Sequence, residues 1–288
     1  MLATTNTIVS LLKLRIGMAI AASALAGIAA ASGPPLVWWQ TTGLAIAVLG
    51  ASGAAGGFNQ YYERDIDRLM LRTRSRPFAT GELEANWRWL AGFLILLVAS
   101  LMLAAATGGR VAAAFVFLGA FTYGIVYTVW LKRRSVWNIV VGGLAGSFAV
   151  LAGAAAVDPG LQVVPVVLAI VLFQWTPPHF CSLAAAKGDD YVRARVPMLP
   201  TSVPPKAWTL AILCHTVLLA IISLIPLWFG QGLIYGLGAG IGGGFFVWRS
   251  FALYRTPTKE AALANFFASL LQLSLLILAV VLDAAFKS

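Results

Sequence analysis

Long apolar runs, each close to the roughly 20 residues that a bilayer-spanning helix takes, alternate along the chain with short polar breaks. They predict helices near 16–36, 38–62, 87–107, 111–131, 136–157, 161–184, 206–229, 231–252 and 262–285. Pro34 and Pro35, the stretch from Thr107 to Arg110, and Asp158 to Gly160 punctuate the pattern. Two polar connections, about 64–86 and 185–205, are longer than the rest. The expected fold is an all-α integral membrane protein of about nine transmembrane helices, one domain over residues 1–288 with no soluble appendage.

Composition strengthens this reading. Of the 288 residues 60% are hydrophobic and mean hydropathy is +0.87. Only 10% are charged, against roughly 25% in soluble domains. A net charge of +10 would suggest nucleic acid in a soluble protein. Here the cations sit in short loops between apolar runs, so membrane topology explains them and no nucleic-acid partner is expected. With the N-terminus inside and nine crossings, every basic residue except Arg110 and Lys287 falls on the cytoplasmic side. Eight or ten crossings would spoil that asymmetry. Both long polar loops then face the cytoplasm. Cys181 and Cys214 each lie in an apolar run and are expected to be buried thiols rather than a disulfide. No signal-peptide cleavage pattern precedes the first apolar run.

A faint internal echo is present. Leu12-Lys13-Leu14-Arg15 recurs as Leu131-Lys132-Arg133-Arg134, and Leu25-Ala26-Gly27 recurs at the same spacing as Leu144-Ala145-Gly146. Two pseudo-repeated halves would put two similar sites on opposite sides of one cavity.

The strongest chemical signal is Asn59-Gln60-Tyr61-Tyr62-Glu63-Arg64-Asp65-Ile66-Asp67. Asn59, Glu63 and Asp67 are spaced i, i+4, i+8 and form one helical stripe about 12 Å long. Hard oxygen donors on one face suit a divalent cation such as Mg²⁺, which is commonly held by one or two carboxylates plus substrate phosphates. Carboxylates at the membrane edge are costly and tend to be functional. The competing structural reading is a solvated helix end with Arg64 and Arg68 as ion-pair partners. Asp65 points off the stripe and suits such a pairing role. Arg64, Arg68, Arg72, Arg74 and Arg76 follow closely, and guanidinium forks bind phosphate bidentately.

A second charged segment runs from Lys187 through Asp189, Asp190, Tyr191, Arg193 and Arg195 to Pro197-Met198-Leu199-Pro200. Glu63, Asp65, Asp67, Glu82, Glu84, Asp189 and Asp190 make up most of the chain's ten acids. Their place beside dense cations fits a two-metal diphosphate site better than it fits topology. His179, after Trp175-Thr176-Pro177-Pro178, is a candidate haem contact or a packed core histidine. His215 reads as structural, and Gly242-Gly243-Gly244 as a close-packing run. Tyr123 and Tyr127, one turn apart, suit either cation stabilisation or packing.

The segment NQYYERDIDRLMLRTRSRPFATG, Asn59 to Gly81, closely resembles the first signature of the protoheme IX farnesyltransferases (haem O synthases), which belong to the membrane aromatic, UbiA-type prenyltransferase superfamily. YTVWLKRRSVWNIVVGGLAG at 127–146, WTPPHF at 175–180 and DDYVRARVPMLP at 189–200 extend the resemblance over nearly the whole chain. It departs at Cys181, where the family usually has an aromatic, at Arg195, where it usually has glycine, and near Ala149, where it usually has proline.

The resemblance implies nine transmembrane helices around a central cavity in a bacterial inner membrane. It implies Mg²⁺-dependent transfer of farnesyl from farnesyl diphosphate to a vinyl group of haem B, giving haem O on the route to haem A. A downstream haem A synthase is then a natural partner. Asn59, Glu63 and Asp67 match the first metal motif, Asp190 with Asp189 the second, and Arg72 and Arg76 the arginines that follow the first. The expected catalytic set is Asn59, Glu63, Asp67, Asp190, Arg72 and Arg76. Lys132, Lys187 and Arg193 join Arg72 and Arg76 on the diphosphate. Haem B is a substrate here and not a cofactor. A related prenyltransferase acting on a quinone precursor or chlorin, and a non-catalytic haem carrier or transporter, are the rival readings. A transporter would carry ionisable groups near the midplane, whereas here they cluster at one face.

Overall fold

The structure, a computed structural model, describes residues 5–287, and among these every regular element is helical. Helices α1 (Thr5–Leu11), α2 (Leu14–Ala30), α3 (Trp38–Tyr62) and the short α4 (Arg64–Asp67) and α5 (Pro77–Thr80) lead into α6 (Trp87–Phe121). That helix continues as a π-helix over Thr122–Leu131. Then come α7 (Asn138–Gly142), α8 (Leu144–Val157), α9 (Val163–Ala186), α10 (Gly188–Arg193) and α11 (Leu199–Ser202). Helix α12 (Pro205–Ile222), a 3-10 turn at Ile225–Phe229, α13 (Leu233–Arg255) and α14 (Lys259–Lys287) complete the chain.

Among the described residues six helical segments are long and apolar enough to cross a membrane. One of them, Trp87–Leu131, has 45 residues. At 1.5 Å per residue it would measure about 67 Å, more than twice the roughly 30 Å of a hydrocarbon core. It therefore turns at Gly109, whose φ of 85° and ψ of 173° suit glycine and few other residues. The break falls between the predicted spans 87–107 and 111–131. Helix α2, at 17 residues, is a shorter apolar segment, because Gly33, Pro34 and Pro35 stop it before the predicted end at 36. Helix α13 is 23 residues long but is not among the six. Its glycine-rich middle and Arg249 dilute its apolar character.

Small residues set the closest approach. Where α2 crosses α8, a Cβ on Gly27 would overlap the Val150 carbonyl and one on Gly153 would overlap the Ala24 carbonyl. Two backbones in contact without intervening side chains gain dispersion that lipid tails cannot supply. The C-terminal helices are pinned differently, by neutral hydrogen bonds. Ser250 donates to Asn265 (3.0 Å), Asn265 donates to Ser182 (2.9 Å), and Thr216 and Ser250 share a further bond of 3.0 Å. All four side chains are fully buried. Asp283 of α14 caps the start of α13 by accepting from the Gly232 and Tyr235 amides. The Gly242-Gly243-Gly244 run serves packing in part. Gly242 lies against Gln272 of α14 and Gly243 against Ala220 of α12, while Gly244 faces open space.

The two long polar connections meet. Ile66 and Met70 pack with Tyr191, Val196 and Met198 over Ile139, and Asn138 donates to the Pro197 carbonyl (2.9 Å). Helix α1 docks on the first connection through Leu11, which packs with Phe78, Leu83 and Phe93. Gln60 donates to the Ser10 and Leu11 carbonyls, and Thr7 donates to Glu82. Both cysteines are free. Cys181 is buried as expected, but Cys214 is exposed, on the outward face of α12.

Candidate active site

A cavity of about 210 Å³ lies between α2, α3, the α6–π segment, α8 and α9. Most of its wall is apolar, with Ile20, Val48, Ala51, Phe115 and Ala149 among the lining residues. Its polar lining includes Lys13, Asn59, Arg72, Arg76, Tyr123, Tyr127 and Lys132.

Asn59, Glu63 and Asp67 are almost fully buried, at 1%, 0% and 1% exposure. The helical spacing survives the junction of α3 and α4. The Glu63 amide donates to the Asn59 carbonyl and the Asp67 amide to the Glu63 carbonyl, both at 2.9 Å. Each stripe residue meets a cation from elsewhere in the chain. Asn59 Oδ1 accepts from Lys13 Nζ (2.5 Å), and Glu63 Oε2 from Lys132 Nζ (2.5 Å). Both Asp67 oxygens accept from Arg76 Nη1 (2.8 and 2.9 Å). Arg64 and Arg68 are not the partners. They donate to the Tyr61 and Ala79 carbonyls instead. Buried charges persist only when paired and hydrogen-bonded, which these are. Asp65 turns outward and accepts a fork from Arg133 (2.6 and 2.7 Å). Burial works against its charge, but the Arg133 fork prevails and holds the carboxyl below its ordinary value.

The π-helix explains how Lys132 reaches Glu63. Its amide bonds to the Tyr127 carbonyl five residues back (2.9 Å), and Thr128 Oγ1 bonds to the Tyr123 carbonyl (2.8 Å). The widened turn carries Lys132 round until its Nζ lies 5.7 Å from the Tyr127 ring centre. Tyr123 and Tyr127 stack 5.6 Å apart at 13° in the cavity wall. Thr128 also accepts from Asn59 Nδ2 (3.0 Å), fixing the orientation of that amide.

Lys13 was not among the sequence-predicted site residues. It adopts a left-handed backbone (φ 49°, ψ 42°) that breaks α1 from α2. Non-glycine residues held there carry about 1–2 kcal/mol of strain and cluster at functional sites. Its ammonium donates to Asn59 and to the Tyr123 hydroxyl (2.9 Å). The available signal was the echo of Leu12-Lys13 in Leu131-Lys132, since both lysines reach one cavity and neighbouring members of one stripe.

The second segment divides its expected roles. Asp190 is buried at 6% and accepts from the Leu71 and Arg72 amides (2.9 and 3.2 Å), with Arg193 at 3.4 Å. It fastens the arginine-bearing turn, and Arg72 lines the cavity. Asp189 lies apart from the cavity: 78% of its side chain is exposed, and it pairs with Lys259 of α14 (2.8 Å). The hydrogen bond and charge of Lys259 hold its carboxyl below the ordinary value. Lys187 is exposed and outside the cavity wall, and Arg193 is exposed and donates to the Leu69 carbonyl. His179 also lies off the cavity wall. It is sandwiched between Trp175 and Phe266, with ring centres at 4.0 and 4.5 Å, and shares a 2.6 Å bond with Ser269. The neighbouring Thr176 and Phe180 line the cavity instead. His215 bonds to Gln174 (3.2 Å), in keeping with a structural role.

The stripe is chemically fit for a divalent cation. Glu63 Oε1 is buried without a hydrogen-bond partner, an oxygen whose desolvation nothing offsets. Asn59, Glu63 and Asp67 supply only hard oxygen donors. Among the described residues no three His, Cys, Asp or Glu side chains converge on one point, so Asp189 and Asp190 do not join Glu63 and Asp67 in a single cluster.

Residues 20–272 match the model of the UbiA prenyltransferase family. The chain is 52% identical over 284 residues to protoheme IX farnesyltransferase 2 of Paramagnetospirillum magneticum, covering 98% of each protein. It is 45% identical to protoheme IX farnesyltransferase 1 of the same organism, covering 96% of this chain and 97% of that one. Among solved structures, a digeranylgeranylglyceryl phosphate synthase superposes with a TM-score of 0.80 at 18% identity, over 97% of this chain and 98% of the other. A UbiA homolog from Archaeoglobus fulgidus bound to GPP and Mg²⁺ superposes with a TM-score of 0.68 at 16% identity, over 96% and 99%. At such identities these structures speak for the fold alone. Helical architecture, buried acidic stripe and sequence relatives converge, and the chain belongs to the UbiA prenyltransferase family.

Proposed function

We propose that this protein transfers the farnesyl group of farnesyl diphosphate to a vinyl group of haem B, giving haem O and diphosphate. The observation that carries the substrate pair is the likeness to proteins named protoheme IX farnesyltransferase, 52% identical along nearly the whole chain. The site supplies a chemistry to match: an apolar cavity whose polar end is lined by cations, with the buried acids Glu63 and Asp67 paired behind Lys132 and Arg76.

In this reading Asn59, Glu63 and Asp67 hold Mg²⁺, which when bound screens the negative charge of the departing diphosphate. Arg72, Arg76 and Lys132 supply donors to the phosphate oxygens. Asp190 keeps the Leu71–Arg72 turn in place, so it orients Arg72 through the backbone. As the allylic carbon–oxygen bond breaks, the stacked faces of Tyr123 and Tyr127 offer π-density to the positive carbon. The apolar walls keep water from that carbon until the haem vinyl carbon attacks it. Water then adds to the resulting cation on the haem side chain and loses a proton, giving the hydroxyethylfarnesyl group.

The same reading takes the chain as one domain of nine crossings. Two lie on either side of Gly109, and α2 and α13 add to the longer helices. The N-terminus and both polar connections face the cytoplasm of a bacterial inner membrane, and product passes to a haem A synthase. The test is turnover by detergent-purified protein with haem B, farnesyl diphosphate and Mg²⁺, with and without EDTA, read by product mass. A haem heavier by one farnesyl group and one hydroxyl, lost with EDTA, is the expected result. Folded protein that makes no such product overturns the assignment of the acceptor.

A further inference from the structure

Every oxygen-bearing side chain of the buried stripe already has a protein cation. Lys13 meets Asn59, Lys132 meets Glu63, and Arg76 meets Asp67. A divalent ion would bind these same side chains, and apart from Glu63 Oε1, which is still open, it would take the same oxygens. A metal and three protein cations cannot share them, because like charges at contact distance in a poorly solvated site repel strongly. The cations therefore compete with the metal, and displacing them would leave Lys132 and Arg76 without their carboxylates and Lys13 with only the Tyr123 hydroxyl.

A diphosphate removes that penalty. Lys13, Arg76 and Lys132 all line the cavity, whereas Glu63 and Asp67 do not, so the cations lie on the substrate side of the carboxylates. Charge balance points the same way. The carboxylates of Glu63 and Asp67 face three cations, one positive charge in excess. A divalent ion alone raises that excess to three, and a triply charged diphosphate ester alone drives the cluster to two negative charges. Both together bring it to neutrality.

We propose that Lys13, Lys132 and Arg76 are exchangeable counter-ions, released by the stripe when a divalent ion binds and taken up by the diphosphate, so that metal and diphosphate bind strongly only together. Lys13 is the member that no motif pointed to. Its left-handed backbone turns the side chain into the cavity, and the Tyr123 hydroxyl holds its ammonium beside Asn59. It acts as a positioning residue, on the oxygen donor of the stripe in one state and on the phosphate oxygens in the other. The proposal rests on the reading of this site as one for a metal–diphosphate pair.

The experiment measures protein-bound Mn²⁺ on purified full-length protein by equilibrium dialysis, with and without inorganic pyrophosphate and against a protein-free Mn²⁺–pyrophosphate control, and pyrophosphate binding by calorimetry. Pyrophosphate is expected to tighten the metal by about tenfold or more, within the usual range for coupled sites. Lys13→Met is expected to tighten Mn²⁺ alone and weaken pyrophosphate, each several-fold. Lys13→Arg restores the native values, and Lys132→Met repeats the opposite-signed pair at Glu63. A structural defect would weaken both ligands. Weakening of both, or no change in either, with wild-type coupling intact, overturns the exchange and leaves the prenyl-transfer reading standing. No binding of Mn²⁺ even with pyrophosphate overturns both.

Discussion

The two acidic segments of this chain look alike in sequence and are put to different use by the fold. In 59–67 each stripe residue is buried and faces a cation of the cavity wall. In 189–190 one acid is clamped onto backbone amides and the other sits on the surface against Lys259. Acidity beside arginine is thus shared by a charge-exchange site, a loop fastener and a solvated ion pair. What tells them apart is the partner: side-chain cation, peptide amide or surface lysine. Substitutions that keep shape and remove charge separate these uses.

The largest effect is expected at the stripe. Glu63→Gln and Asp67→Asn should lower haem O formation by at least about a hundredfold, the scale for losing a key electrostatic contact in catalysis. Either change also leaves Lys132 or Arg76 as a buried charge short of its partner, with a stability cost of about 3–5 kcal/mol. Thermal unfolding in detergent should register that cost, and addition of pyrophosphate should restore part of it, because the phosphate oxygens take up the cation left without its carboxylate. Wild-type turnover in both variants would remove the stripe from the mechanism.

Asp190 comes next. A fastener works through its two acceptor oxygens, so Asp190→Asn, which keeps one, should lose about tenfold in kcat/KM, and Asp190→Ala considerably more. The loss should appear mainly in the KM for farnesyl diphosphate, because the Arg72 turn is what slackens. If the Asn variant is as inactive as the Ala variant and its metal affinity falls, Asp190 is a metal ligand and the contrast drawn above collapses for that residue.

A smaller effect is expected at Arg195, which has a φ of 51°. The family resemblance leads one to expect glycine there, and the backbone fits that expectation: glycine adopts this region with the least strain. Arg195→Gly should stabilise the protein by about 0.5–1 kcal/mol with turnover unchanged, seen as a rise in Tm. A fall in Tm would show that the exposed arginine contributes more than its backbone costs. Smallest of all, Asp189→Asn should leave turnover within about twofold, as expected for an exposed pair. Any larger loss would return Asp189 to the metal site.

The stripe was legible in advance because helical periodicity alone determines which of residues 59–67 share a face. Its burial and its partners were not. The positive-inside pattern explains cations near a membrane surface, and that sufficiency hid Lys13 and, in part, Lys132. Both reach the cavity through backbone features without a dependable sequence signature, a left-handed junction before α2 and a π-turn before residue 132. The internal echo held the clue but gave no reason to prefer a lysine pair over the small residues that also recur. His179 illustrates the reverse case. Its conspicuous WTPPHF setting suggested haem, while the fold spends the ring on an aromatic stack between α9 and α14.

The glycine crossing of α2 and α8 lies just past Ile20 and Ala149, two residues of the cavity wall. A boundary made of touching backbone has no side chain to rotate aside, so on that side the chamber's depth is fixed once the chain has folded. Tailoring this scaffold to a longer or bulkier substrate by point substitution would have to work through Phe115, Tyr123 or Phe180, whose rings can be trimmed or turned. Enlarging the chamber at the crossing itself demands that a whole helix move, which places that dimension beyond the reach of single mutations.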